Sequence, residues 1–230
     1  MNRLLAALPH DEHKRLVTHG VRAQLPKGTV LCELGGPVHY AYFPESGMVS
    51  LLSLTHDGHT VELATVGAEG IAGIEIVLNA SSASYRMVVQ LPTHALRVRA
   101  DTLRTEFDRS PHLRQLLLRY TRTLLAQISQ SAVCHRFHTA TQRLARRLLI
   151  ARDRVDSDTV EITQEFIANM LGIPRTGVTM AAAGLQEAGL IRQRHGRIHI
   201  LNRAALEDAA CECYQIVKGE LSDFPPARAS

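Results

Sequence analysis

The chain has 230 residues, 45% of them hydrophobic and 21% charged, with a formal net charge of +4; that is apolar material for one large globular domain or two ordinary ones. No uncharged run approaches the roughly 20 apolar residues that a membrane span needs, and four cysteines with no C-x-x-C pair argue against a disulfide framework or a zinc finger. A cytoplasmic protein without membrane contact is the expectation.

The stretch from Met1 to Leu8 is largely apolar, but it ends at Pro9 and runs into His10-Asp11-Glu12-His13-Lys14, which marks a short amphipathic helix and not an export signal. From Val21 to Asp101, short runs rich in Val, Leu, Ile, Tyr and Phe alternate with turn signals such as Pro26-Lys27-Gly28, Leu34-Gly35-Gly36-Pro37 and Asp57-Gly58. Short strands at even spacing predict a sandwich or roll. Met48–Leu54 and Thr60–Ala64 flank His56-Asp57-Gly58-His59, a hairpin turn because Asp and Gly both accept positive φ. A metal site built from His56, His59 and Glu62 is the alternative; the hairpin is favoured because it needs only Asp-Gly and leaves the histidines at an exposed tip.

After Ser110-Pro111 the apolar period changes from two to about 3.5. Leu113, Leu117, Tyr120, Leu124, Ile128 and Ser131 follow one another at steps of four, three, four, four and three, while Arg114, Arg119 and Arg122 fall off the stripe. This predicts one long helix with an apolar seam, which packs either on its own domain or on a second copy of itself. No matching helix lies nearby in the sequence, so Leu113, Leu117, Tyr120, Leu124 and Ile128 are assigned to a dimer interface. Beyond Cys134-His135-Arg136-Phe137-His138 a second helical pattern begins, with Leu144, Leu148 and Leu149 on one face and Arg143, Arg146, Arg147 and Arg152 on others. The stretch between the two helices is the natural hinge.

Two short helices come next. Thr163 is placed to cap Gln164–Leu171, Gly172 supplies a tight turn, and Pro174 suits the first turn of a helix running towards Glu187. Helix, glycine turn and helix form the outline of a helix-turn-helix. Gly189-Leu190-Ile191 then leads into Arg192-Gln193-Arg194 and Arg197-Ile198-His199-Ile200, joined by His195-Gly196, a two-stranded wing with arginines at its tip. Between Thr139 and Arg203 there are ten arginines against six acids, whereas the rest of the chain holds 16 basic and 16 acidic residues. The whole positive excess lies in this segment, which points to a polyanionic partner. Cys211-Glu212-Cys213 could ligate a metal or sense redox state, but a ligand pair normally needs two more ligands at workable spacing, so two small residues on a terminal helix is the favoured reading and no metal site is assigned.

The stretch Ile162-Thr163-Gln164-Glu165-Phe166-Ile167-Ala168-Asn169-Met170-Leu171-Gly172-Ile173-Pro174-Arg175-Thr176-Gly177-Val178, with Leu185-Gln186-Glu187-Ala188-Gly189-Leu190-Ile191 after it, resembles the Crp/Fnr superfamily of regulators, and the likeness covers nearly the whole chain. The resemblance implies an α+β protein with an N-terminal β-roll (jelly-roll-like, residues 1–110), a long dimerisation helix and hinge (111–138), a C-terminal winged helix-turn-helix (139–218) and a flexible tail (219–230). It also implies a sequence-specific homodimer on double-stranded DNA at a near-palindromic operator, with RNA polymerase as a further partner if it activates. A recognition helix enters the major groove with its first residues towards base edges. Arg175 is accordingly expected to read a base, with Thr176, Thr179 and Gln186 as further candidates. Arg192, Arg194, His195 and Arg197, together with Thr163, are expected at the backbone.

The sequence departs from the best-known members where they carry Glu after the recognition Arg and a second Arg further along; here Thr176 and Met180 stand at those places. In the phosphate cassette of cyclic-AMP-binding members, Gly-Glu precedes Arg-Ser. Aligned on Gly73, this chain has Ile74 for that Glu and Ser84-Tyr85 for Arg-Ser; Glu75 and Arg86 serve as effector ligands only if the alignment slips. A buried cyclic phosphate without its cation is poorly compensated, so cyclic AMP is not expected as effector. The N-terminal cysteines of iron-sulfur members are missing apart from Cys32, so no such cluster is expected, while haem ligation by one of the 12 histidines stays open. Two other functions compete with an effector-controlled regulator. One is an effector-independent regulator whose β-roll is a dimerisation scaffold; the other is a cupin-like metal enzyme, which lacks the close H-x-H plus Glu pattern.

Overall fold

The computed structural model describes residues 1–80, 82–155, 157–194 and 196–222. They group into two compact units, one of 1–53 and 64–126 with the chain from Leu221, the other of 54–63 and 127–220.

The first unit opens with helices α1 (Arg3–Ala6) and α2 (His10–His19). Asn2 caps α1 by accepting from the Leu5 amide, and its own Nδ2 donates to the carbonyls of Pro44 and Gly70 at 2.9 and 2.8 Å, so a buried polar side chain is fully employed. Strands β1 (Val21–Leu25), β2 (Val30–Cys32), β3 (Tyr40–Pro44), β4 (Met48–Leu54), β5 (Thr60–Val66), β6 (Arg86–Leu91) and β7 (Thr93–Arg99) follow. They form two sheets, in the orders β1-β7-β3 and β2-β6-β4-β5. The pairs β1–β7, β3–β7, β2–β6 and β4–β6 are antiparallel, with Val21 opposite Arg97 and Tyr40 opposite Arg99. Phe43, Met48, Leu51, Met87, Val89 and Val98 are buried between these strands and form the core of the roll. The predicted turn at His56–His59 joins β4 to β5, with Gly58 at φ 86° where a side chain would be strained.

Helix α3 (Ala100–Arg109) precedes the long helix α4 (Pro111–Phe137), which starts where the change of period places it. The seam is different from the expected one. Leu113, Leu117, Tyr120 and Leu124 are at most 4% exposed in the single protomer, and Tyr120 lies so close to Gly70 that a Cβ there would overlap its ring. A side chain already covered by its own chain has no area left to bury against a partner, so these four form the intramolecular face of α4. Ile128 is half-buried. On the uncovered side, Leu118 is 49% and Leu125 60% exposed, with Val133 further along.

The second unit contains α5 (Ala140–Arg152), β8 (Thr159–Glu161), α6 (Gln164–Leu171), α7 (Arg175–Glu187), β9 (Ile191–Arg194), β10 (Arg197–Ile200), α8 (Arg203–Ala209) and α9 (Cys213–Ser222). Strands β8, β10 and β9 form an antiparallel sheet in that order. The hinge expected at Cys134–His138 is helical as far as Phe137, and the break before α5 is only two residues, His138 and Thr139. Thr139 then opens α5 with a capping box, its hydroxyl accepting from the Gln142 amide while the Gln142 side chain accepts from the Thr139 amide. Arg143, Arg146 and Arg147 of α5 are buried, so three arginines counted in the basic segment belong to the interior and offer nothing to a polyanion. Arg147 pairs at 3.0 Å with Glu62 from the β4–β5 hairpin end, which groups with this unit. Residues 219–222, expected in a tail, continue α9, and the rest of that tail lies outside the described residues.

Candidate nucleic-acid interface

Three local rules build the helix-turn-helix. Thr163 caps α6, its hydroxyl accepting from the Phe166 amide at 3.2 Å. Gly172 ends the helix in the left-handed region at φ 60°, as a C-terminal glycine does. Pro174 then sits one residue before α7, where its missing N–H costs nothing. Val178, Ala181, Ala182 and Leu185 turn the inner face of α7 into the core. The small alanines leave the outer face to Arg175, Thr176, Thr179 and Met180, all exposed, with Met180 77% exposed. Arg175 is the first helical residue of α7; in helix-turn-helix proteins it is this end of the second helix that faces base edges. Met180 was not among the expected contacts; a bare thioether beside Arg175 and Thr179 is suited to an apolar contact such as a thymine methyl.

Gln186 lies at the other end of α7 and is occupied there. Its Oε1 accepts from the Gln193 amide of β9 at 3.0 Å. The Gln193 side chain in turn accepts from Gln164 Nε2 at 3.3 Å, and Gln164 Oε1 accepts from the Thr179 hydroxyl at 3.1 Å. These four side chains tie the recognition helix, the start of α6 and the wing into one polar chain. Gln164 and Gln193 were missed in the sequence because amides carry no charge signal, and here they act by linking Thr179 and Gln186.

The wing alternates as a half-buried sheet must: Ile191, Ile198 and Ile200 point inwards, while Arg192, Arg194, Arg197 and His199 share the exposed face. Arg194 faces Arg197 across the turn, and Arg192 faces His199. His195, expected at the tip, lies outside the described residues. Many of the segment's arginines are neutralised. Arg197 pairs with Glu161 at 2.8 Å, Arg152 with Asp158 at 2.9 Å, and Arg203 with Asp153 and Glu207 at 2.9 and 2.8 Å. Among the described residues, Arg175, Arg192 and Arg194 pair with no carboxylate.

The residues weighed as effector ligands lie in the first unit. Glu75, in a short 3-10 turn (Ile74–Ile76), is buried, and neither carboxylate oxygen completes a well-formed hydrogen bond. Burial pushes its pKa up, offset in part by its own amide, the Tyr85 hydroxyl and the Ser84 amide. Arg86 is engaged by Glu33, Nε to carboxylate oxygen, at 2.9 Å.

Two family models match this arrangement: a cyclic nucleotide-binding domain over residues 22–110 and a Crp-like helix-turn-helix domain over residues 142–209, together well over half of the chain. A comparison with curated proteins finds no match. Among solved structures, FixK2 from Bradyrhizobium japonicum is similar at 19% identity, covering 84% of this chain and 98% of its own, with a TM-score of 0.72. The c-di-GMP responsive global regulator CLP from Xanthomonas campestris follows at 17% identity, covering 84% and 100%, with a TM-score of 0.71. A transcriptional regulator of the CRP family from Thermus thermophilus is 21% identical over 82% of this chain and 96% of its own, with a TM-score of 0.70. At these identities the structures speak for the fold, and the two family models, in this order along one chain, speak for the lineage. The chain belongs to the Crp/Fnr family of DNA-binding transcription regulators.

Proposed function

We propose that this regulator binds a near-palindromic operator as a homodimer, with Arg175 reading a base edge and Arg192 and Arg194 of the wing holding phosphates. The observation that supports it is the set of three exposed arginines left without a carboxylate, one at the start of α7 and two on the wing. A free guanidinium at a helix start makes two hydrogen bonds to guanine O6 and N7, whereas Arg197 must first leave Glu161. Thr176, Thr179 and Met180 flank Arg175 on the same face, and Gln186 holds the wing in register. The β-roll carries the regulatory input through a ligand other than cyclic AMP bound in the family's usual manner. Arg86, the cation nearest in sequence to the cassette position, is engaged by Glu33.

The test is competition binding of Arg175→Ala and Arg194→Ala against an operator, found by genome-wide mapping of bound sites, and against random DNA at several salt concentrations. Arg175→Ala is expected to lose about 1–3 kcal/mol on the operator and to relax discrimination at one base pair of each half-site. Arg194→Ala is expected to weaken binding to both DNAs alike and to lower the salt slope by about one. Equal loss on both DNAs for Arg175→Ala would make it a phosphate clamp and defeat the reading.

A further inference from the structure

The second unit gathers three of the chain's cysteines. Cys134, in the last turn of α4, and His138, just past its end, are four residues apart and therefore on one face; the His138 amide still donates to the Cys134 carbonyl at 3.2 Å. Cys211 and Cys213 bracket the junction between α8 and α9. The three sulfurs and one imidazole nitrogen all lie within 4.8 Å of one another. Cys134 Sγ is 3.5 Å from Cys211 Sγ, and Cys213 Sγ is 3.5 Å from His138 Nδ1. The cysteines are buried.

We propose that Cys134, His138, Cys211 and Cys213 form a structural zinc site that pins the end of α4 to the α8–α9 junction. The dimensions fit. With Zn–S bonds of about 2.3 Å and a Zn–N bond of about 2.0 Å, a tetrahedron sets its sulfurs about 3.8 Å apart and each sulfur about 3.5 Å from the nitrogen. An iron-sulfur cluster needs its thiolates spread around a larger core than this. Four protein ligands leave no open position, which is the mark of a structural and not a catalytic zinc.

Two surrounding features point the same way. With His138 Nδ1 turned to the sulfurs, its Nε2 lies 3.2 Å from the Glu212 carboxylate, the outer partner that orients a metal-bound imidazole and fixes its tautomer. Gln130 Nε2 donates to Cys213 Sγ at 3.0 Å, as amides do to coordinated thiolates. The local charges are also of opposite sign. Three thiolates around a divalent ion carry one net negative charge, and the buried Arg143 and Arg146 have no carboxylate partner among the described residues. Arg143 donates to the Leu171 carbonyl, and Arg146 reaches the Ser131 hydroxyl at 3.5 Å and the Cys134 sulfur. An anionic zinc-thiolate centre supplies part of the counter-charge that buried guanidiniums require.

The sequence hides this site because its spacing shows only Cys211 and Cys213, while the partner sulfur of Cys211 lies 77 residues earlier. The full chain, purified in reductant without chelator, should carry one zinc per protomer by elemental mass spectrometry. Replacing that zinc with Co2+ should give the visible bands of a tetrahedral ion and thiolate charge transfer. Cys134→Ser and Cys213→Ser should each lose stoichiometric metal, His138→Cys should keep it, and Glu212→Gln should weaken zinc affinity by about 10- to 100-fold. Should a serine variant fail to fold, the wild-type chain still decides, because a strong chelator should lower its melting temperature and added zinc should restore it. The proposal is overturned by protein that stays free of zinc after incubation with it, by Co2+ without charge-transfer bands, by iron in place of zinc, or by a Cys134–Cys211 disulfide in the metal-free protein.

Discussion

At the scale of single residues, the question is which charges the fold has taken out of water. Glu75 is one: burial raises its pKa above the ordinary 4.5, so the folded state holds its proton more tightly than the unfolded chain does. A carboxyl raised in this way contributes stability that is fully present below pH 4.5 and is lost as pH rises through the folded value. Glu75→Gln should therefore be more stable than wild type at pH 7, with the gap closing as pH falls towards 4.5, in denaturant unfolding followed across pH. A constant gap would mean that Glu75 is ionised at no cost. Arg147 is the opposite sign of the same problem, since burial pushes its pKa down to about 10 and Glu62 opposes that shift. Breaking such a buried pair should be expensive: Glu62→Ala is expected to cost on the order of 3–5 kcal/mol in urea unfolding. Glu161→Ala removes the exposed partner of Arg197 and should cost about 0–1 kcal/mol. Similar losses for the two variants would refute the distinction. A count of arginines in the sequence does not separate these classes, because Arg143, Arg146 and Arg147 contribute to the basic total from inside the domain, where no DNA reaches them.

At the scale of elements, α4 shows how a correct period leads to a wrong partner. The steps between Leu113 and Ser131 do mark an apolar face, and α4 does run from Pro111. What the period lacks is the identity of the surface opposite, because roll and dimer seam demand the same side chains from one stripe of a helix. The roll takes Leu113, Leu117, Tyr120 and Leu124, with Gly70 making room for the tyrosine ring. The second stripe, Leu118 and Leu125 seven residues on, stays exposed in the protomer, and we propose it as the face that meets a second copy of the helix. Leu118→Glu with Leu125→Glu should give monomers in sedimentation at unchanged helix content. Leu117→Ala should leave the dimer intact and lower stability by about 2–5 kcal/mol, the cost of a cavity in a core. A dimer that survives the double substitution would show that α4 is not the interface. The short elements were more legible, because cap, glycine turn and wing rest on local chemistry: Thr163, Gly172 and Gly196 each sit where backbone geometry calls for that residue type.

For the whole molecule, the readable quantities are those that local chemistry or chain order fixes; the surroundings of Glu75 in the β-roll and the convergence of Cys134 with Cys211 depend on distant parts of the chain meeting. The same distinction governs the DNA target. A homodimer related by a two-fold axis presents two copies of α7, so Arg175 should meet one base pair in each half of a near-palindrome. Both recognition helices face the same side of the duplex only when the half-site centres lie a whole helical turn apart, about 10–10.5 base pairs or a multiple of it. Inserting about 5 base pairs at the centre of the operator rotates one half-site to the far face of the duplex by half a turn. Affinity should then fall to that of one half-site, in a regime where wing contacts to phosphates persist because they read no sequence. The effect of Arg175→Ala should shrink from two base contacts to one, while Arg194→Ala keeps its salt-dependent loss. Gel-shift titration of both variants on the two DNAs measures this directly. If the lengthened operator binds as tightly as the original, the subunits engage their half-sites independently, and a rigid two-fold dimer is not the species that reads the DNA.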